Sequence, residues 1–452
     1  MKRKGSYSHF KNKNRKMNTG APSLSTLASL AAAGRVEEDE TVKGLLLSVQ
    51  YTGNQRIAEV AREYLFRRAV EQMVDPDAFA PPIDADQARG ELPLGQIRNS
   101  ECEFGLFRPE LVQGTYVSGR IGSGKTTFIR RLLKQLILLA SSIAMMVRIM
   151  VFDIKRDYQD LTMLFPEVWQ FKLPGNDFHW NPLEPPIRSW HQWAGILASV
   201  FANSAGFYGG MSTENLTYKY LLQLYRRYDT EHGIYPSLFD LRDYLKWLDL
   251  TKKVDRRSEE YRWFVRIQNR IESLCNALGK IIECSQGYPL AEILAHHVVF
   301  EMAQLKQDAQ SFFTETFLTQ IICHRIENEE RGGTLRTLAV FDEAKRLVPK
   351  YREQSQQAIS NMSTILAFGR EFGVGFLIGE CQPALLADSA KSCSYSKVCF
   401  SQGHGKDIED SVKSLGLLDA DQAAEFHKLQ VGEAIVRLAG RIKKPFVLQV
   451  TP

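Results

Sequence analysis

The residues with the most chemistry in them are Gly119-Arg120-Ile121-Gly122-Ser123-Gly124-Lys125-Thr126-Thr127. The order Gly-x-x-x-x-Gly-Lys-Thr is a phosphate-binding loop when a strand feeds it and a helix leaves it. Both flanks fit. Thr115 to Ser118 has a short apolar strand pattern, and Phe128, Ile129, Leu132, Leu133 and Leu136 recur at helical spacing. Gly119, Gly122 and Gly124 let backbone N–H groups close on phosphate oxygens without Cβ clashes. Ser123 and Thr127 complete the stretch, and the helix N-terminus adds partial positive charge. Lys125 is expected to reach the β- and γ-phosphates, and the Thr126 hydroxyl to ligate Mg2+.

A second stretch completes this chemistry. Leu338 to Phe341 reads as a strand, and Asp342-Glu343 ends it. In open parallel sheets, ligands gather at the carboxyl ends of strands. Asp342 there is expected to hold Mg2+ through water, and Glu343 to polarise a water for in-line attack on the γ-phosphate. Gln382 ends a further strand. Its amide either senses the γ-phosphate or closes a turn before Pro383 as a buried group. Arg370, in Gly369-Arg370-Glu371, either reaches a neighbouring subunit's γ-phosphate or pairs with Glu371. Lys345, Arg346, Lys350 and Arg352 read as a DNA-facing surface or a solvated helix start.

The elements that must position these residues follow. Met146 to Asp153 is a continuous apolar run ending in an acid, as in a strand buried on both faces. With the loop and its helix it makes a βαβ unit. From 189 to 295 the pattern is helical, with candidate helices over Trp190–Ala202, Glu214–His232, Ser237–Leu248, Glu259–Leu278 and Leu290–Ala295. Arg262, Arg266 and Arg270 stand four apart, hence on one face. That face is either a basic ridge for a phosphate backbone or an ordinary solvated one. Strand signals resume at His297 to Met302, a long helix spans Asp308 to Glu327, and a helix lies near Gln354 to Phe368. Strands follow at Gly375 to Gly379 and, as a pair, between Gly432 and Val450.

The expected division is a basic disordered tail over 1–40 and a helical region with linker over 41–91. An α/β core then runs over 92–188 and 296–452, interrupted by the helical insertion at 189–295. The tail carries Lys2, Arg3, Lys4, Lys11, Lys13, Arg15 and Lys16 with no acid before Glu37, and so can touch DNA phosphates without sequence choice. Asn54 to Met73 is expected to be helical, with Ile57, Val60, Ala61, Tyr64, Leu65 and Val70 as its apolar stripe.

Composition sets the bounds. In 452 residues, 44% hydrophobic and 24% charged, there is material for more than one core. A net charge of +5 permits a polyanionic partner without requiring one. Seven scattered cysteines form no zinc-type or redox spacing, and no run of 18 apolar residues occurs. These features point to a cytoplasmic protein without an integral membrane segment. The absence of Asn-Lys-x-Asp argues against a small GTPase.

The ordered motifs resemble the HerA/FtsK superfamily of RecA-like ATPases, which includes the type IV secretion ATPases and coupling proteins. The resemblance runs from Leu92-Pro93-Leu94-Gly95 through the phosphate loop, Phe152-Asp153-Ile154-Lys155, Asn181-Pro182-Leu183 and Phe341-Asp342-Glu343-Ala344. It continues through Gly369–Gly375, Cys381-Gln382-Pro383 and Gly432–Val436. It implies a mostly parallel sheet and a hexameric ring that threads double-stranded DNA. Lys125, Thr126, Asp342, Glu343 and Gln382 would serve one subunit's ATP and Mg2+, with Arg370 as the finger from its neighbour. The sequence departs from the usual pattern at Lys345, Arg156 and Cys381, and its short N-terminal part does not read as the small β-barrel of typical HerA proteins. The function implied is an ATP-driven DNA translocase working with a separate effector such as a nuclease, in DNA processing or phage defence. A secretion or conjugation motor and a nucleotide-gated scaffold for a partner enzyme are the alternatives.

Overall fold

The computed structural model describes residues 23–451 except 34–39, 75–78, 80–84, 143–146, 176, 205–209, 252–255, 352, 354–360, 418–419 and 443. The chain forms two compact units, Met1–Ala80 and Pro81–Pro452.

In the first unit three helices, Leu24–Ala33, Glu40–Thr52 and Gln55–Val74, share a small core. Leu27, Ala31, Val42, Ala58, Ala61 and Leu65 are buried in it. Part of the segment expected as a disordered tail over 1–40 is therefore helical, at Leu24–Ala33. The Leu-Ala-rich segment from Leu24 favours helix and has an apolar face to bury, while residues 1–22, with the basic cluster, lie outside the described residues. Val60, expected on the apolar stripe, is 58% exposed.

The second unit is built on one sheet. Its strands are β1 (Leu92–Ile97), β2 (Glu103–Leu106), β3 (Thr115–Ser118), β4 (Arg148–Asp153), β5 (Val168–Lys172), β6 (His297–Glu301) and β7 (Thr337–Phe341), then β8 (Val374–Glu380), β9 (Ser396–Phe400), β10 (Glu433–Leu438) and β11 (Phe446–Val450). The order across the sheet is β2-β1-β11-β10-β9-β3-β8-β7-β4-β6-β5. From β9 to β5 every pairing is parallel, and from β9 to β2 every pairing is antiparallel. The parallel strands read as continuous apolar runs because helices cover both faces: β6, β7 and β8 are buried at every residue.

One face packs on the helix Lys125–Ser142, whose Phe128, Ile129, Leu132, Leu133 and Leu136 are fully buried. The other packs on Gln307–Glu327, where Phe313 and Phe317 meet Phe300 of β6 edge-on at 5.2 Å. The helical segment expected at 189–295 connects β5 to β6 and belongs to the same compact unit. Phe201 from it stacks on Phe312 at 5.0 Å. Arg262 and Arg266 are exposed, but Arg270 is buried, donating to Ser204 Oγ at 2.7 Å and Asp308 Oδ2 at 3.2 Å. Three arginines therefore do not make a continuous basic ridge; one turn of the helix faces inward and takes Arg270 with it.

Candidate active site

Strand order decides which side chains meet. β8 lies between β3, which feeds the glycine-rich loop, and β7, which ends in the acid pair. Two strand spacings, about 10 Å, separate β3 from β7. A lysine side chain bridges that gap only if nothing on β8 stands in the way. Gly379 of β8 meets this need: a Cβ there would come within 2.7 Å of Asp342 Oδ1.

The loop itself is held from three directions. The Gly119 N–H donates to the Glu380 carbonyl at 3.1 Å, Arg120 N–H to Ser401 at 2.9 Å, and Gly432 N–H to Ser123 at 2.9 Å. Ser123 Oγ donates to the Arg120 carbonyl at 2.8 Å. Gly122 and Gly124 have φ of 78° and 111°, conformations that side chains disfavour. A Cβ on Gly119 would strike Ser123 Oγ at 2.5 Å. The helix Lys125–Ser142 starts at the loop, so its first N–H groups, which lack intrahelical partners, face the place where phosphate would sit.

Lys125 Nζ donates to Asp342 Oδ1 at 2.8 Å, with both side chains 5% exposed. Burial alone would lower the Lys125 pKa; the Asp342 carboxylate outweighs it and holds the ammonium above its ordinary value. Asp342 Oδ2 is buried with no hydrogen-bond partner. An orphaned carboxylate oxygen beside a lysine and a hydroxyl-bearing helix start fits a hard cation that arrives with phosphate and water. Among the described residues no cluster of three or more His, Cys, Asp or Glu would hold a metal by itself. Thr126 is half-buried and Thr127 exposed in the first helical turn.

Glu343 stands in the left-handed region at φ 63°, which turns its carboxylate out of the strand line. Its Oε1 accepts from Lys155 Nζ and its Oε2 from Lys345 Nζ at 2.8 Å. Burial raises its pKa, but hydrogen bonds from Lys155, Lys345 and Cys381 overcome this and pull it to about 2. Gln382 is exposed, so it is not a buried turn-closing amide; its Oε1 accepts from Lys345 Nζ at 2.9 Å. Glu380, fully buried at the end of β8, receives the Gln382 N–H at 2.8 Å, the Lys345 N–H at 2.8 Å and Lys345 Nζ at 3.2 Å.

The structure thus brings Lys125, Asp342, Glu343 and Gln382 to one sheet edge with the glycine loop. It does not bring Arg370 there. Arg370 is exposed in the turn before β8, at the amino end of the strand, so the seven residues of β8, about 20 Å, separate it from the site of its own chain. The basic cluster after the acid pair is also not a free surface. Lys345 points into the site, Arg346 donates to Gln310 at 3.2 Å, and Lys350 pairs with Asp388 at 3.2 Å. Arg352 lies outside the described residues.

Lys155, Lys345 and Glu380 are site residues to which the sequence reading gave no role there. For Glu380 a signal existed, an acid ending an otherwise apolar strand. Lys345 was masked by its neighbours Arg346 and Lys350, which made it look like part of a surface cluster.

No protein-family model matches the chain, and no curated protein matches it in sequence. Solved structures do resemble it. VirB4 of Thermoanaerobacter pseudethanolicus superposes with a TM-score of 0.56 at 15% identity, over 80% of this chain and 96% of that one. The bacterial conjugative coupling protein TrwB, in its unbound form, superposes at 0.58 and 14% identity, over 81% of this chain and 91% of TrwB. TrwB in complex with ADP and Mg2+ gives 0.57 at 14% identity, over 81% and 92%. The chain has the RecA-like P-loop fold of VirB4 and TrwB.

Proposed function

We propose that the chain hydrolyses ATP and uses the cycle to move double-stranded DNA, as a homohexameric ring serving a separate effector. The observation that carries the ATPase part is the buried Lys125–Asp342 pair with its orphaned Asp342 oxygen, set beside Glu343 and Gln382 on one sheet edge. The likeness to TrwB, which has been solved with an ATP analogue and with ADP and Mg2+, supports it.

The residues have separable tasks. Backbone N–H groups from Gly119 to Thr127 hold the phosphates. Lys125 leaves Asp342 for the β- and γ-oxygens. Thr126 and Asp342 would hold Mg2+, which neutralises phosphate charge when bound. Glu343, once released from a lysine, orients and polarises the attacking water. Gln382, linked to Glu343 through Lys345, reports loss of the γ-phosphate to the segment after β8. Arg370, too far to serve its own site, would serve a neighbour's in a ring.

DNA as the moved polymer rests on the sequence resemblance and on the coupling-protein likeness. Long duplex DNA is expected to stimulate ATP hydrolysis several-fold, with six copies in native mass spectra under Mg2+ and ATP. Hydrolysis indifferent to duplex DNA, from a monomer, would contradict the translocase reading. The similarity to VirB4 and TrwB favours a second reading, a conjugation or secretion motor, for which copurification with a membrane complex is the discriminating result. A nuclease partner and a role in defence remain part of the first reading; gene neighbourhood tests them.

A further inference from the structure

We infer that Lys155 is a γ-phosphate ligand held in reserve by Glu343, so that arrival of the triphosphate draws Lys155 away and frees the carboxylate that orients water. The inference rests on the ATPase reading and adds a substrate-contacting residue to it.

Glu343 is held by two lysines of different kinds. Lys345 is a fixed brace. A lysine ammonium has three N–H donors. Those of Lys345 go to Glu343 Oε2 at 2.8 Å, Gln382 Oε1 at 2.9 Å and Glu380 Oε1 at 3.2 Å. Lys155 is different. Among the described residues its ammonium is hydrogen-bonded only to Glu343, and its side chain is 35% exposed. Two of its three donors are therefore left for a ligand or solvent.

Its backbone is held at several points while its tip is held by Glu343 alone among the described residues. Asp153 accepts from the Lys155 N–H at 3.0 Å, and from the Asp157 and Tyr158 N–H groups at 3.1 Å each. The next residue, Arg156, has φ 64° and pairs with Glu301 at 2.6 Å. A lysine anchored at its root and tethered by one charge at its tip can swing without rearranging the loop. Lys125 is hydrogen-bonded to Asp342 and Lys155 to the adjacent Glu343, so the two ammoniums meet one acid pair. Lys155 follows β4, which lies beyond β8 and β7 from the strand that feeds the glycine loop, so it reaches Glu343 from the side of the site away from that loop.

A carboxylate bridged between two ammoniums, its pKa drawn down, is a weak base, and each of its oxygens already accepts a charged hydrogen bond that competes with water. A γ-phosphate carries more charge than a single carboxylate and is the stronger partner for Lys155. ADP lacks that group, so Glu343 recaptures the lysine after phosphate leaves. No bond is made or broken in this exchange; one ion pair replaces another.

The test is equilibrium binding by calorimetry in Mg2+, using ADP and a non-hydrolysable ATP analogue. Wild type, Lys155→Met, Lys155→Arg, Glu343→Gln and the Lys155→Met/Glu343→Gln double variant are compared. Lys155→Met should weaken the analogue about tenfold, the loss of one charged hydrogen bond, and leave ADP affinity unchanged. Lys155→Arg should keep the preference for the analogue. Glu343→Gln, which removes the competitor, should tighten the analogue but not ADP, and that gain should vanish in the double variant. An equal effect of Lys155→Met on both nucleotides, or a Glu343→Gln gain that survives without Lys155, would overturn the inference while leaving the ATPase reading intact. Failure of the wild type to bind either nucleotide would overturn both.

Discussion

At the scale of single residues, the site is made by small side chains as much as by charged ones. Asp342 reaches its place against Lys125 because Gly379 leaves room beside its carboxylate. Gly379→Ala would put a methyl 2.7 Å from Asp342 Oδ1 and 3.2 Å from Ile129 Cδ1. Overpacking of this kind costs about 1–3 kcal/mol, and here part of it falls on the ion pair. ATP hydrolysis should drop about tenfold or more, with the far-ultraviolet circular dichroism retained; wild-type turnover in this variant would mean that Asp342 is not held where the structure puts it. The glycine loop and the acid pair were legible because their spacing follows directly from phosphate chemistry. Lys155 and Lys345 were not, because nothing in their immediate neighbours shows that each reaches Glu343, which for Lys155 lies 188 residues away. Glu343 has a second feature invisible in sequence, its left-handed backbone, which a non-glycine residue adopts at a cost of about 1–3 kcal/mol.

At the scale of elements, strand order turns distant motifs into neighbours. The buried strands β4, β6 and β7 were readable as apolar runs, and the helices over Trp190–Asn203, Glu259–Leu278 and Gln307–Glu327 as periodic stripes. β1, β2, β5 and β9 carry weaker strand signals in the sequence. β2 and β5 are the two sheet edges, short and partly exposed, and carry no clean alternation. The start of β6 carries its own prediction. His297 is 5% exposed, and its Nδ1 accepts the Ile149 N–H of β4 at 3.1 Å. Burial first, then Arg148 and His296, push its pKa down to about 4. The folded state therefore keeps this histidine neutral, while the unfolded chain protonates it near 6.5. Its contribution is complete above pH 6.5 and is lost as pH falls towards 4, up to about 3 kcal/mol. Thermal unfolding across that window should show a steeper fall for the wild type than for His297→Asn, which keeps an acceptor but does not titrate there. Parallel pH profiles would refute the assignment.

At the scale of the whole molecule, the chain divides into an N-terminal helical unit and a sheet unit, and the candidate site described above is built from residues of the second. No helix among the described residues is long and apolar enough to cross a membrane. The proposed ring rests on the sequence resemblance; in it Arg370, at the amino edge of the sheet, would serve a neighbour's site and not its own. The account depends most on the claim that Lys125, Asp342 and Glu343 bind and split one triphosphate. Single-turnover hydrolysis combined with Mg2+-ATP binding tests it most directly. Glu343→Gln should retain ATP at least as well as the wild type and hydrolyse it about a hundredfold or more slowly, while Lys125→Ala should lose binding itself. Wild-type hydrolysis by Glu343→Gln, or unimpaired ATP binding by Lys125→Ala, would contradict it.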